Sequence, residues 1–158
     1  MAGEKVEVFG GGQFWARVWL YGPLVAWLIF IFFASTGALS GENTSRLIRP
    51  LLLWLYPDIS EEKIALAHFV TRKLAHFLEY GVLAFLAARA LSKSSSRHWL
   101  TFSLLLVVLY SLTDEYHQSF VPSRGASLYD SLIDTLGGLT SLMLYYAWRS
   151  RRERREGG

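Results

Sequence analysis

The sequence predicts an all-α fold: a polytopic membrane helical bundle of about four transmembrane helices plus a short outer interfacial helix. The chain of 158 residues is 52% hydrophobic and 15% aromatic, only 18% of its residues are charged, and its mean hydropathy is +0.26. This composition is too apolar for a typical soluble domain and suits a small membrane protein. Helices are expected throughout, because an open sheet cannot satisfy its backbone hydrogen bonds in lipid.

Four apolar runs predict the transmembrane helices, and their approximate limits are 17–42, 64–91, 99–113 and 128–148. The first run is uncharged between Arg17 and Glu42 and exceeds the roughly 20 residues that cross a bilayer core. The third run is slightly short unless it also includes residues 114–117. One compact domain of four alternating spans is the resulting expectation.

The segment 44–56, between the first two spans, is too short to cross a bilayer. Leu47, Leu51 and Leu55 recur at helical spacing, and Trp54 and Tyr56 are rings typical of a membrane interface. We therefore expect a helix on the outer leaflet, with packing against the other helices as the alternative. Residues 60–62, Ser-Glu-Glu, then predict a capped helix start.

The distribution of lysine and arginine predicts the orientation. Ten of the 16 lysines and arginines lie in the N-terminal segment, near the loop 92–98, or after Trp148. The positive-inside tendency therefore places both termini in the cytoplasm of a multi-pass cell-membrane protein. The expected organisation is a flexible cytoplasmic N-terminus at 1–16, a transmembrane domain at 17–148 and a basic cytoplasmic tail at 149–158.

Ionisable and amide side chains gather in three stretches, at 72–80, 114–118 and 124–134. Charges at membrane depth are costly, so they usually pair with one another or line a polar cavity. In the predicted topology all three stretches reach the outer end of the bundle, and we expect them to form one site, a polar pocket that faces the extracytoplasmic side. Its candidate residues are Arg72, Lys73, His76, Glu79, Tyr80, Asp114, Glu115, Gln118, Arg124, Asp130 and Asp134.

Within this set, His76, Glu115 and Asp130 are the candidates for acid–base catalysis, and the other residues are candidates for substrate binding. Helical spacing puts Arg72, His76 and Glu79 on one face. Structural interpretations remain open for several of them. Arg72 or Lys73 could extend to lipid headgroups, Glu79 could pair within its helix, and Asp130 could form a capping box with Ser127.

Two further sequence features limit the chemistry and the packing. The absence of cysteine excludes a thiolate metal site, and no metal or cofactor is expected because Lys73 would repel a cation beside His76. Gly137 and Gly138 would allow another helix to approach closely.

The motifs together resemble the VanZ-like family of bacterial membrane proteins. They are R-K-x-x-H-F-x-E-Y at 72–80, D-E-x-x-Q-x-F at 114–120, P-x-R at 122–124, D-x-x-x-D at 130–134 and the glycine pair that follows. The resemblance covers roughly residues 24–146. It departs at Ser123, where the family commonly has glycine, and at Asp134, which often corresponds to asparagine.

The resemblance marks Lys73, His76, Glu115, Gln118, Arg124 and Asp130 as the polar signature of the family in this chain. It also implies a role in the cell envelope. The family name comes from a protein associated with low-level resistance to teicoplanin, a glycopeptide antibiotic that carries a fatty chain. The resemblance supplies no reaction mechanism.

Three functional hypotheses follow. The first is a protein that binds or remodels an amphiphilic envelope molecule, such as a lipid-linked glycan or phosphate or the lipoglycopeptide teicoplanin. The second is an integral membrane hydrolase or transferase that acts on a lipid-linked or glycan substrate through His76 and carboxylates. The third is a purely structural network of buried charges. The expected partner is a membrane lipid or lipid-linked molecule and not nucleic acid, while the oligomeric state is left open.

Overall fold

The computed structural model describes residues 11–36, 41–94, 97–121 and 127–157, apart from the side chains of residues 11 and 41–47. Five α-helices and no strand occur in these ranges, which confirms the predicted all-α class. The helices are α1 (Gly11–Ser35), α2 (Gly41–Leu55), α3 (Glu61–Lys93), α4 (Trp99–Gln118) and α5 (Leu128–Glu156). The predicted domain limits remain a prediction.

Two of the described helices, α1 and α3, are long and apolar enough to cross a membrane. Helices α4 and α5 are less apolar because α4 ends in Asp114 and Glu115, and α5 carries Asp130 and Asp134 in its first turns. The coarse prediction of a helical membrane protein therefore agrees with the structure, whereas the four-span bundle remains a prediction.

Helices α3 and α5 run in parallel, and this alignment sets the position of the polar residues. Near the start of both helices, Arg72 donates to Asp130, with Nη2 and Oδ2 3.0 Å apart. Near their ends, Arg149 donates to the carbonyl oxygen of Ser92 at 3.4 Å. Polar residues in the early turns of α5 therefore face the region of α3 around residues 72–76.

Helix α4 runs opposite to α5, and α1 runs opposite to α3. The end of α4 lies beside the start of α5, because Glu115 accepts a hydrogen bond from the backbone of Ser127. Between α1 and α3, the indole of Trp27 donates to the carbonyl oxygen of Glu79 at 2.9 Å, and Arg89, later on α3, donates to that of Trp19, earlier on α1. As a result, the end of α1, the end of α4 and the start of α5 lie at the same end of the bundle as Arg72.

The α3–α5 contact is close because α5 has a glycine pair where the helices meet. A Cβ atom at Gly137 would overlap the backbone carbonyl of Phe77, and one at Gly138 would lie 2.7 Å from Val107 Cγ1. The glycine pair therefore allows α5 to approach both α3 and α4, as the sequence predicts. The same contact fixes Asp134, about one turn earlier on α5, against α3.

The bundle buries polar side chains and exposes large apolar ones. The buried polar residues are Ser35, His76, Ser103, Ser111, Asp114, Glu115, Gln118, Asp130, Ser131 and Asp134. In contrast, Phe33, Leu78, Leu109 and Leu144 on the four long helices are each more than half exposed. Soluble monomers rarely expose apolar surface on this scale, so the surface is suited to lipid.

Helix α2 is the short helix predicted between the first two spans. Its Arg49 forms a two-fold ion pair with Glu61 at the start of α3, with both N–O distances 2.6 Å. Leu51 and Trp54 are exposed, and the interfacial position of α2 remains a prediction. The predicted start of α3 is confirmed, because the Ser60 hydroxyl accepts a hydrogen bond from the backbone of Lys63.

Candidate functional site

Asp130 lies at the centre of the polar cluster and binds two cations from α3. Its carboxylate accepts from Arg72 at 3.0 Å and from the ammonium group of Lys73. The Asp130 side chain is fully buried, whereas that of Lys73 is 19% exposed and that of Arg72 is 41% exposed. The two cations thus share one buried acid and retain access to their surroundings.

Asp130 is available for these cations because Glu115, and not Asp130, accepts the hydrogen bond from the backbone N–H at the start of α5. Glu115 Oε2 accepts from the backbone nitrogen of Ser127 at 2.6 Å. The alternative of a capping box between Ser127 and Asp130 is therefore wrong. A carboxylate from α4 takes the amide that Asp130 would have bound, and this contact could not be read from local spacing.

His76 and Asp134 form a second pair one turn further into the bundle. The distance from His76 Nδ1 to Asp134 Oδ1 is 3.1 Å. The Ser111 hydroxyl lies 2.7 Å from Asp134 Oδ2 and 2.9 Å from the Ser131 hydroxyl. Asp134 can accept from both neighbours, so it holds the imidazole through Nδ1 and leaves Nε2 as the second functional nitrogen of His76.

Asp114 and Gln118 form a third pair, one turn apart on α4. Gln118 Nε2 donates to Asp114 Oδ2 at 3.0 Å. Gln118 is fully buried. Among the described residues, its Oε1 atom has no hydrogen-bond partner.

A cavity of about 880 Å³ lies between α1 and α3 and reaches Asp114 and Gln118 on α4. Six of the predicted site residues line it: Arg72, Lys73, His76, Glu79, Asp114 and Gln118. Apolar side chains form much of the remaining wall, and they are Trp27, Phe30, Ile31, Phe69, Leu78 and Val82. The cavity therefore combines a charged region with an apolar cleft.

The VanZ/LLP1 family model matches residues 18–149, which includes almost all of the described bundle. The chain belongs to the VanZ/LLP1 family. No curated protein and no solved structure matches it. Family membership and the two apolar helices together indicate a VanZ-like membrane protein of the cell envelope.

The polar signature of this VanZ-family protein separates into two groups. Lys73, His76 and Gln118 line the cavity. Glu115 and Asp130 lie behind it and hold the α5 cap and the α3 cations. The catalytic and binding roles assigned to these residues remain predictions.

Two other described site residues, Tyr80 and Asp134, do not line the cavity. Tyr80 is fully buried in the core, and Asp134 is buried behind His76. Arg124, like Ser123 before it, lies outside the described residues. Tyr80 and Asp134 are therefore placed to support the site and not to contact a ligand directly.

The sequence reasoning missed the contribution of α1. Trp27, Ile31 and Ser35 line the cavity and recur every fourth residue, so they share one face of α1. This spacing could have indicated a face directed at the polar cluster. Within the described ranges, no group of three or more histidine or acidic side chains is arranged to hold a metal ion.

Proposed function

We propose that this VanZ-family protein binds an amphiphilic envelope molecule in the cavity between α1 and α3. Its phosphate or glycan head would lie near Arg72 and Lys73, and its tail would lie along the apolar wall. The observation that carries this proposal is the presence of partly exposed cations and an apolar cleft in one cavity of about 880 Å³.

The local charge around Asp130 favours an anionic head group at this end of the cavity, while the acids Glu79 and Asp114 line other parts of it. Arg72 and Lys73 share the single carboxylate of Asp130, so this group of three carries one excess positive charge. The guanidinium of Arg72 remains 41% exposed and has further donors for a phosphate oxygen. Asp130 also holds both side chains in place, which reduces the entropy lost when a ligand binds.

The apolar wall favours an acyl or polyprenyl tail. Trp27 and Ile31 form the α1 side of the cavity, and Leu78 and Val82 extend it along α3. Leu78 is 63% exposed, so the wall continues onto the outer surface of the bundle. A tail could enter sideways from lipid. A lipoglycopeptide such as teicoplanin has the same amphiphilic character, and its capture would give glycopeptide tolerance.

We propose that α1, α3, α4 and α5 all cross the membrane and that both termini are cytoplasmic. The alternating helix directions and the exposed apolar side chains of all four helices support this topology. Because the chain has no cysteine, single cysteines can report it directly. An impermeant maleimide added to intact cells should label Tyr56→Cys and not Ser94→Cys, and labelling of Ser94→Cys alone would contradict the orientation.

Arg72→Gln should weaken the binding of phosphatidylglycerol about tenfold, since a charge-assisted hydrogen bond to phosphate is lost. The fold should persist because Lys73 still neutralises Asp130. Native mass spectrometry of the purified protein in an uncharged detergent would measure the bound fraction. Arg151→Gln, at an exposed position near the C-terminus, is the matched control. Equal binding by the two variants would reject the proposed head-group site.

The same spectra distinguish the enzymatic alternative, which the His76–Asp134 pair favours. In that case Asp134 orients the imidazole, and Nε2 acts as the general base toward a ligand in the cavity. Bound lipid would change in mass over time, and His76→Asn would stop the change without preventing binding. Lipid of constant mass in the wild-type protein would support a binding function alone.

A further inference from the structure

Gln118 presents a buried acceptor that none of the residues described by the structure satisfies. It is fully buried, and among the described residues its Oε1 atom has no hydrogen-bond partner. Buried polar atoms are nearly always paired, so an unpaired one in a residue that lines a cavity calls for a partner that the described part of the chain does not supply. Gln118 lines the same cavity as Arg72 and Lys73.

The orientation of the Gln118 amide follows from its neighbour. Nε2 donates to Asp114 Oδ2 at 3.0 Å. Exchanging the oxygen and nitrogen would place two acceptors against each other, so the donor belongs on the Asp114 side. The free atom is therefore an acceptor, and the missing partner must be a hydrogen-bond donor.

We infer that the molecule bound in this cavity is a phosphodiester whose head group carries a hydrogen-bond donor beyond the phosphate. This inference rests on the proposed function. The phosphate contacts Arg72 and Lys73, and a terminal hydroxyl or ammonium group donates to Gln118 Oε1. The acidic side chain of Asp114 beside Gln118 adds to the preference for a donor at this position.

Four lipids with identical acyl chains and two matched pairs of head groups test this inference. Phosphatidylglycerol and phosphatidylmethanol share one negative charge, but only the first has free hydroxyls. Phosphatidylethanolamine and phosphatidylcholine are both zwitterionic, but only the first has N–H donors. Native mass spectrometry of the full-length protein should show about fivefold tighter binding of the donor-bearing lipid in at least one pair.

The pattern of outcomes separates the two proposals. Tighter binding of phosphatidylglycerol than of phosphatidylmethanol identifies a hydroxyl donor. Tighter binding of phosphatidylethanolamine than of phosphatidylcholine identifies an ammonium donor. Equal binding within both pairs would overturn the inference while leaving the proposed function intact. If none of the four lipids binds the wild-type protein more tightly than the Arg72→Gln variant, the proposed function itself fails.

Gln118→Met tests whether Gln118 Oε1 accepts the hydrogen bond from the head-group donor. Methionine has a similar length and removes the acceptor, so the fivefold preference should fall to equal binding while the lipids still bind. Ser103→Ala, at a buried position on the same helix, is the control and should retain the preference, because Ser103 bonds the backbone of Trp99. A preference unchanged in Gln118→Met would overturn the assignment. If this variant does not fold, the comparison of the four lipids on the wild-type protein still tests the inference.

Discussion

Replacing Asp130 with asparagine is expected to lower the free energy of unfolding by about 3 kcal/mol. The substitution preserves the shape of the side chain but removes the negative charge that Lys73 and Arg72 share. Lys73 is 19% exposed and would retain a largely buried charge without its carboxylate. Unfolding of the purified protein by sodium dodecyl sulfate, followed by tryptophan fluorescence, would measure the loss.

A second substitution separates charge from packing. Lys73→Met in the Asp130→Asn background removes the orphaned ammonium group and should restore at least half of the lost stability. Glu153→Gln breaks an exposed ion pair with Arg149 and should change stability by less than about 0.5 kcal/mol. If Asp130→Asn lowered the free energy of unfolding by no more than Glu153→Gln does, the result would contradict a role for the buried charge pairing in holding α3 and α5 together.

Gly137→Ala is expected to destabilise the bundle by about 3 kcal/mol, as overpacking does in a well-filled interior. The new methyl group would overlap the backbone carbonyl of Phe77, which has no side-chain freedom to move aside. This overlap can be relieved only if α3 and α5 separate. Separation would also pull Asp130 away from Arg72 and Lys73, so the same variant should weaken lipid binding.

Gly81→Ala is the matched control at the same helix contact. Its Cβ atom would lie 3.5 Å from the carbonyl oxygen of Gly137, an ordinary van der Waals distance. We expect the free energy of unfolding of this variant to lie within about 0.5 kcal/mol of the wild-type value. The detergent unfolding assay compares the two directly. Similar stability of Gly137→Ala and Gly81→Ala would show that α3 and α5 pack differently from the contact described above.

Much of the fold could be predicted because hydropathy and helical spacing are local properties of the sequence. They gave the all-α class, the start of α3 after Ser60 and the close approach at Gly137. They also indicated that Arg72 and Asp130 belong to one cluster, since charges in an apolar environment require partners. The membrane assignment of α4 and α5 is harder to read because their buried acids lower the hydropathy that usually marks a span.

A polar pocket could be predicted, but the α1 wall of the cavity could not be, because it depends on how α1 packs. No property of Trp27 or Ser35 alone shows that α1 leaves a space beside Arg72. The Glu115 contact with the backbone of Ser127 is likewise a tertiary interaction, and it overrides the local preference for a capping box. Sequence spacing identifies which residues share a helix face, but the contacts between helices decide which of them reach a ligand.

An experimental structure of the full-length protein in nanodiscs that contain phosphatidylglycerol is the most direct test of the binding site. We expect density for a lipid with its phosphate within hydrogen-bond distance of Arg72 and its tail against Trp27 and Val82. A cleft closed by direct contact between α1 and α3, with Arg72 directed only at Asp130, would contradict it.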